Sequence, residues 1–238
     1  MTATVEIGCF ADDIPAAPPG CANVVVDVIR AATTAITAVA RGQRTFVASS
    51  IEKAIPLAAR LTNPVLAGEL GGFMPYGFEL QNSPAAVAAA NGARRPMILL
   101  STSGTRLMLA AREQRPTYVA CLRNVSAQVD DLVGCFNHVR LLAADSRGDF
   151  REEDQLCCGR ISEGLLGHGF VAADPATEQI IERWSGAADD SFLESRSVAY
   201  LRDTQQEQDL EFILGHVDDL RAVFRVAEEG EILMRPLS

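Results

Sequence analysis

Short apolar runs rich in β-branched residues recur along this sequence, and stretches with helical spacing separate them. We predict strands at residues 24–28, 45–48, 65–67, 97–100, 117–120 and 139–143, with a further candidate at 4–8. Helices are predicted between them at residues 34–41, 50–60, 84–91, 105–112 and 125–135, the third ending at Asn91-Gly92. Almost continuously apolar strands that alternate with helices are typical of an α/β fold, with a mainly parallel sheet and helices on both faces.

The pattern changes near residue 170. Residues 152–166 predict the last long helix of the alternating region, and residues 174–216 predict shorter helices without strands between them. The tail at 222–235 alternates weakly around Glu229-Gly230, which favours a closing hairpin. We therefore expect residues 1–170 to form the α/β domain that carries the site. Residues 171–238 are expected to form a smaller helical or α+β part packed on the same core.

Composition and charge narrow the range of partners. The 238 residues are 48% apolar and 22% charged, which is ordinary for a globular protein. The formal net charge is −10, and Lys53 is the only lysine. Such an acidic chain disfavours nucleic acid and anionic membrane surfaces as partners. No apolar run is long enough to cross a bilayer and no signal peptide is evident, so we predict a cytoplasmic protein with a small anionic substrate. The sequence leaves a homodimer open.

The six cysteines predict neither a disulfide framework nor a zinc site. They lack Cys-x-x-Cys spacing, and the adjacent Cys157 and Cys158 would close only a strained ring. We expect most of them to be reduced, small core side chains.

Polar and charged side chains follow directly after the predicted strands. In an open α/β sheet, ligands bind beyond the carboxyl ends of the strands, so these positions are the candidates for a site. They are Asp27, Arg30 and Thr33; Glu69; Thr102, Ser103, Gly104 and Thr105; Asn124; and Glu153 with Asp154. Acids, hydroxyls and arginines are expected to converge at one edge of the sheet.

Each group has a chemical interpretation and a simpler alternative. Asp27 and Glu69 could share Mg²⁺, leaving positions for water and phosphate oxygens, or either acid could instead pair with Arg30. Residues 102–105 could form a loop whose amides and helix dipole bind phosphate, but the same residue types also cap ordinary helices. Acids at 153 and 154 also suit a helix start for dipole reasons alone.

Taken in order, these segments resemble the 2-phosphosulfolactate phosphatase family. The matching residues are Asp27-Val28-Ile29-Arg30-Ala31 with Thr33, Gly68-Glu69, Gly77-Phe78-Glu79-Leu80, Asn82-Ser83-Pro84, Thr102, Gly104-Thr105, Asn124, Gly148-Asp149-Phe150, Glu153-Asp154 and Gly159. The resemblance implies a Mg²⁺-dependent phosphatase that converts 2-phosphosulfolactate to sulfolactate and phosphate, a step that serves coenzyme M biosynthesis in methanogens.

The resemblance also implies roles for individual residues. Asp27 and Glu69 would hold Mg²⁺, and Arg30, Thr33, residues 102–105 and Asn124 would bind the substrate. Asp27 and Arg30 would also serve catalysis, together with Glu153 or Asp154 as the base. Arg106, Arg147 or Arg151 would bind the anionic groups of the substrate other than the phosphate. Departures from the family pattern at Ala32, Ser103 and Asp145 keep an alternative open, namely a catalytically weakened or inactive homologue that binds a small anionic ligand.

Overall fold

The structure is a computed structural model that describes residues 2–11, 13–91, 94–145 and 148–237. The predicted helix stop at Gly92 and the predicted anion-binding Arg147 lie outside the described residues.

Strands and helices alternate through most of the chain, as predicted. The strands are β1 Thr4–Phe10, β2 Cys21–Val26, β3 Thr45–Ala48, β4 Val65–Gly68, β5 Met97–Leu100, β6 Thr117–Ala120, β7 His138–Ala144, β8 Val171–Ala172, β9 Ala222–Val226 and β10 Glu231–Pro236. The helices are α1 Ala31–Ala40, α2 Ile51–Ala59, α3 Pro84–Ala89, α4 Gly104–Gln114, α5 Val125–Leu132, α6 Glu152–Leu166, α7 Pro175–Trp184, α8 Arg196–Asp203 and α9 Glu207–Leu214.

The described strands join one mixed sheet in the order β4-β5-β3-β10-β9-β6-β2-β7-β1-β8. Pairing is parallel among β4, β5 and β3, and again among β6, β2, β7, β1 and β8, which confirms the predicted α/β class. The predicted hairpin forms as β9–β10. It lies in the middle of the sheet, antiparallel to both β3 and β6, a position that local sequence does not signal.

The central hairpin sets the direction of the two parallel blocks. Three successive antiparallel pairings, from β3 through β10 and β9 to β6, make the two blocks run in opposite directions. The expectation that the carboxyl ends of all the parallel strands lie at one edge of the sheet is therefore wrong. Five pairings separate β5 from β2. At a twist of about 20–25° per pair they accumulate roughly 100–125°, so the ends of the two blocks can still face one another.

Helix α1 is the most buried helix near the site. All but its last residue are buried, and the helix packs against β3, β5, β6 and β10. A helix composed mainly of small alanine and threonine side chains suits such an interior position. It begins at Ala31, three residues before the predicted start, because Asp27 accepts the amides of Ala31 and Ala32 at 3.0 Å each.

The region after residue 170 contributes helices and central strands. Helices α7, α8 and α9 confirm the predicted helical character, and α9 packs against α3 while α7 packs against α6 and β1. The division into two parts at residue 170 stays a prediction. None of the described helices is both long and apolar enough to cross a membrane. All six cysteines are free thiols, and four of them are buried.

Candidate active site

A cavity of about 440 Å³ opens where several strands end and several helices begin. The segments that follow β2, β4, β5 and β7 all contribute to its wall, and α8 from the C-terminal region closes one side. Its lining includes charged, amide and hydroxyl side chains: Asp27, Arg30, Glu69, Asn82, Ser101, Thr102, Ser103, Asp149, Arg151, Asp154, Arg196, Ser197 and Tyr200.

Asp27 and Asp154 bring two buried carboxylates to this cavity. Asp27 Oδ1 accepts the amide of Ala31 at 3.0 Å, so the acid both ends β2 and starts α1. Asp154, in the first turn of α6, accepts the amide of Val28 through Oδ1 at 2.7 Å. Each carboxylate is thereby fixed by one backbone donor at the same turn, and both line the cavity.

Burial and mutual repulsion disfavour the charged forms of these acids. Burial, together with the nearby Glu69 and Glu153 carboxylates, raises the pKa of Asp27 to about 7. The pKa of Asp154 is raised well above its usual value by burial first, and then by Glu153 and Asp27. Burial also raises the pKa of Glu153. Such a cluster attracts positive charge, from a proton or a cation.

A close approach of two strands places Glu69. Gly68 has a φ of +152°, and a Cβ atom there would lie 2.1 Å from the carbonyl oxygen of Leu100, so glycine is required. The Glu69 carboxylate then accepts three bonds, from the amide and hydroxyl of Thr102 at 2.7 and 2.8 Å and from the amide of Gly72 at 2.7 Å. Both of its oxygens therefore serve the loops that form the cavity wall.

The start of α4 faces Asp27 closely. A Cβ atom on Gly104 would lie 2.0 Å from Asp27 Oδ2, so only glycine lets the helix approach the acid. Ser103, the residue before the helix, makes no side-chain capping bond and lines the cavity. The amide of Thr105 is instead accepted by Ser101 Oγ at 3.0 Å. Residues 102–105 therefore lead into a helix start at the cavity, and anion binding by this segment stays a prediction.

Arg30 also lines the cavity, and buried side chains of the C-terminal region bond to its guanidinium. Its Nη1 donates to Asp209 Oδ2 at 2.6 Å and also to Gln206 Oε1. The side chains of Arg30 and Asp209 are only 4% and 0% exposed. Asp209 in turn accepts Ser83 Oγ at 2.6 Å and the amide of Ala85 at 3.1 Å. An acid from α9 thus orients the arginine, an arrangement that the sequence did not indicate.

The described residues hold no group of three or more His, Cys, Asp or Glu side chains placed to bind a metal ion. Mg²⁺, however, is commonly bound by one or two carboxylates, with water and substrate phosphate completing its shell. Asp27 fits that pattern because it is buried, lines the cavity and lies among other acids. Glu69 fits it less well, since both of its oxygens already accept protein donors.

Comparison with known proteins places the chain in a family. The 2-phosphosulpholactate phosphatase family matches residues 11–229. A probable 2-phosphosulfolactate phosphatase of Synechococcus sp. (strain CC9605) is 31% identical over 218 residues, which cover 90% of this chain and 79% of the relative. The chain belongs to the 2-phosphosulfolactate phosphatase family.

Two further relatives carry the same name. The protein of Pseudothermotoga lettingae is 36% identical over 139 residues, covering 58% of this chain and 59% of the relative. That of Carboxydothermus hydrogenoformans is 35% identical over 162 residues, covering 68% of this chain and 63% of the relative. The chain therefore spans about three fifths of the length of these two members of the family.

Several family-motif residues support the cavity without lining it. Thr33 Oγ1 donates to the carbonyl of Val28 at 2.7 Å, and the Thr105 amide and hydroxyl both bond to Ser101. Asn124 Oδ1 accepts the amide of Cys121 at 3.1 Å and so fixes a helical turn after β6. Glu153 is fully buried behind Asp154 and does not line the cavity. Thr33, Thr105 and Asn124 therefore position the backbone around the cavity.

Two of the three departures from the family pattern lie outside the cavity. Ala32 is fully buried in the hydrophobic core, so it removes no hydrogen-bonding group from the cavity wall. Asp145 is not among the lining residues, and its Oδ1 accepts the amide of Gly148 at 2.7 Å. Of these three departures, only Ser103 lines the cavity.

The sequence missed part of the cavity wall. Asn82, which was not among the strand-end candidates, is buried and lines the cavity, and its neighbour Ser83 caps α3. Arg196, Ser197 and Tyr200 come from α8, in a region without motif residues. Among the candidates for additional anionic groups, Arg151 lines the cavity and Arg106 does not.

Proposed function

We propose that this chain is a Mg²⁺-dependent phosphatase that hydrolyses 2-phosphosulfolactate or a similar small anionic phosphomonoester to a hydroxy acid and phosphate. Family membership and the shared name of the relatives support the activity. The observation that carries the proposal is a single cavity that combines Asp27, Asp154, Arg30 and the start of α4.

The cavity offers complementary groups for a phosphoryl centre. Arg30 contributes a guanidinium held in place by Asp209, and such groups stabilise the charge of phosphoryl oxygens. The residues before α4 add a helix start, which also favours negative charge. In this proposal the phosphoryl group binds between them, with Ser103 as a neighbouring hydroxyl donor.

Two carboxylates take different parts. Asp27 would hold Mg²⁺, which when bound polarises the phosphoryl oxygens. Asp154 would accept the proton of the attacking water, because it lines the cavity and has a raised pKa. Glu153, predicted as an alternative base, is fully buried beside Asp154 and would modulate that acid electrostatically.

The test is phosphate release from 2-phosphosulfolactate, with Mg²⁺ and with EDTA, for the wild type and Asp27→Asn. The wild type should release phosphate only with Mg²⁺, and Asp27→Asn should be inactive while it keeps the Oδ1 bond to Ala31. Asp145→Asn is the matched control, since this strand-end acid lies outside the cavity lining and should keep full activity. An unchanged rate in Asp27→Asn would refute the metal role. A folded wild type that binds phosphate without turnover on any phosphoester would instead indicate a binding homologue.

A further inference from the structure

The first turn of α8 forms a second positive wall of the cavity. Ser195 caps the helix by accepting the amide of Val198 at 3.3 Å, and Arg196, Ser197 and Tyr200 then face the cavity from consecutive turns. Tyr200 donates its hydroxyl to the carbonyl of Gly72 at 2.7 Å. The helix is therefore tied to the loop that carries Glu69, so Arg196 starts from an anchored backbone.

Arg196 and Arg30 differ in the exposure of their side chains and in how firmly their partners hold them. The side chain of Arg30 is 4% exposed and bonded to a buried acid, whereas that of Arg196 is 78% exposed and pairs with Asp149, which is 38% exposed. An exposed ion pair of this kind is weak and rearranges readily. Asp149 contacts Arg196 through Nη1, and a guanidinium carries five N–H donors, so further donors remain for an added anion.

The neighbourhood of Arg196 is open on two sides. Asp149, Arg151 and Arg196 line the main cavity and also a second cavity of about 280 Å³ beside it. The three side chains therefore form the wall between the two cavities. A substrate group directed at this wall from the main cavity would meet the guanidinium groups of Arg151 and Arg196.

We propose that Arg196 is the specificity-determining residue that binds the sulfonate of the substrate, while Arg30 and the start of α4 bind its phosphoryl group. This inference rests on the proposed function and deepens it. A sulfonate presents three acceptor oxygens, which suit the donor fork of a guanidinium better than the single point charge of an ammonium group. The sulfonate is then recognised by a residue of α8, a helix that contains none of the family's motif residues.

The test compares kcat/KM for 2-phosphosulfolactate with that for 2-phospholactate, which has a methyl group in place of the sulfonate-bearing carbon. Arg196→Ala should lower the value for the sulfonate ester about 10- to 100-fold, mainly through KM, because a charge-assisted bond is lost. The value for phospholactate should change less than about threefold, a margin typical of a lost exposed ion pair. Arg196→Lys should lose less activity on the sulfonate ester than Arg196→Ala does, but more than the wild type. Arg202 is exposed on the same helix, so Arg202→Ala is the control and should keep the wild-type ratio of the two kcat/KM values.

Equal loss on both esters, or no loss on either, would overturn the assignment of Arg196. If the wild type turns over neither ester, the proposed function fails and the sulfonate site is tested by binding alone. Sulfolactate, but not lactate, should then raise the melting temperature of the wild type and of Arg202→Ala, and not that of Arg196→Ala. A rise that is the same in all three proteins, or absent in the wild type, would overturn the inference independently of turnover.

Discussion

Asp209 provides the sharpest test of how this site is held together. The substitution Asp209→Ala removes the buried carboxylate that accepts from three donors, namely Arg30 Nη1, Ser83 Oγ and the amide of Ala85, and leaves Arg30 only its bond to Gln206 among these buried partners. Removing one partner of a buried pair costs about 3–5 kcal/mol. For a chain of this size about 1 kcal/mol corresponds to roughly 2–4 °C, so the melting temperature should fall by about 6–20 °C.

Thermal and urea unfolding followed by circular dichroism would measure this loss. Glu211→Ala is the matched control, because that acid lies exposed on the same helix and should change stability by less than about 0.5 kcal/mol. The double variant Arg30→Met with Asp209→Leu should recover much of the lost stability, since apolar side chains often replace a buried pair without penalty. It should remain inactive, because the guanidinium is gone. If the single variant Asp209→Ala melts within about 2 °C of the wild type, the reasoning is refuted. A shift that small corresponds to a stability loss far below the cost of breaking a buried pair.

Three further predictions follow from other contacts. Gly104→Ala would place a Cβ atom 2.0 Å from Asp27 Oδ2, so we expect loss of phosphate release and a stability loss of about 1–3 kcal/mol, both measured beside the wild type. Tyr200→Phe removes the bond to Gly72, and chymotrypsin should then cleave faster after the exposed Phe73 and Tyr76; an unchanged cleavage rate would contradict the anchoring role. Ellman's reagent should label one thiol quickly, that of the exposed Cys135, and all six thiols should react in denaturant. Four of the other thiols are buried, and burial raises the pKa of the partly buried Cys9 to about 12.

The sequence predicted the features that depend on local patterns. Helix α6 was predicted with the bounds it has, because acids mark its first turn and its apolar spacing is regular. Asp27, Glu69 and Ser103 were each predicted to follow a strand, and all three line the cavity. Local patterns suffice to place each of them at a strand end. Their approach to one another depends on the central hairpin, because β2 and the β4-β5-β3 block run in opposite directions.

What the sequence could not predict depends on distant pairings. Asp209 is 179 residues from Arg30, and nothing near either residue signals their contact. Arg196 lines the cavity only because α8 packs there, and an arginine at the start of an amphipathic helix has an ordinary surface interpretation. The hairpin was predicted from its turn, but its insertion between β3 and β6 depends on pairing preferences that a single strand does not carry.

The C-terminal region completes both the sheet and the site. Within the described strands, the β4-β5-β3 block and the block that begins with β6 are joined only through β9 and β10. The acids after β2 and β4 therefore approach each other across a hairpin formed near the end of the chain. Helix α9 holds Arg30 through Asp209, and α8 brings Arg196 and Tyr200 to the cavity. Because the motif residues lie before residue 170 and their supports lie after it, the candidate site depends on both parts of the chain folding together.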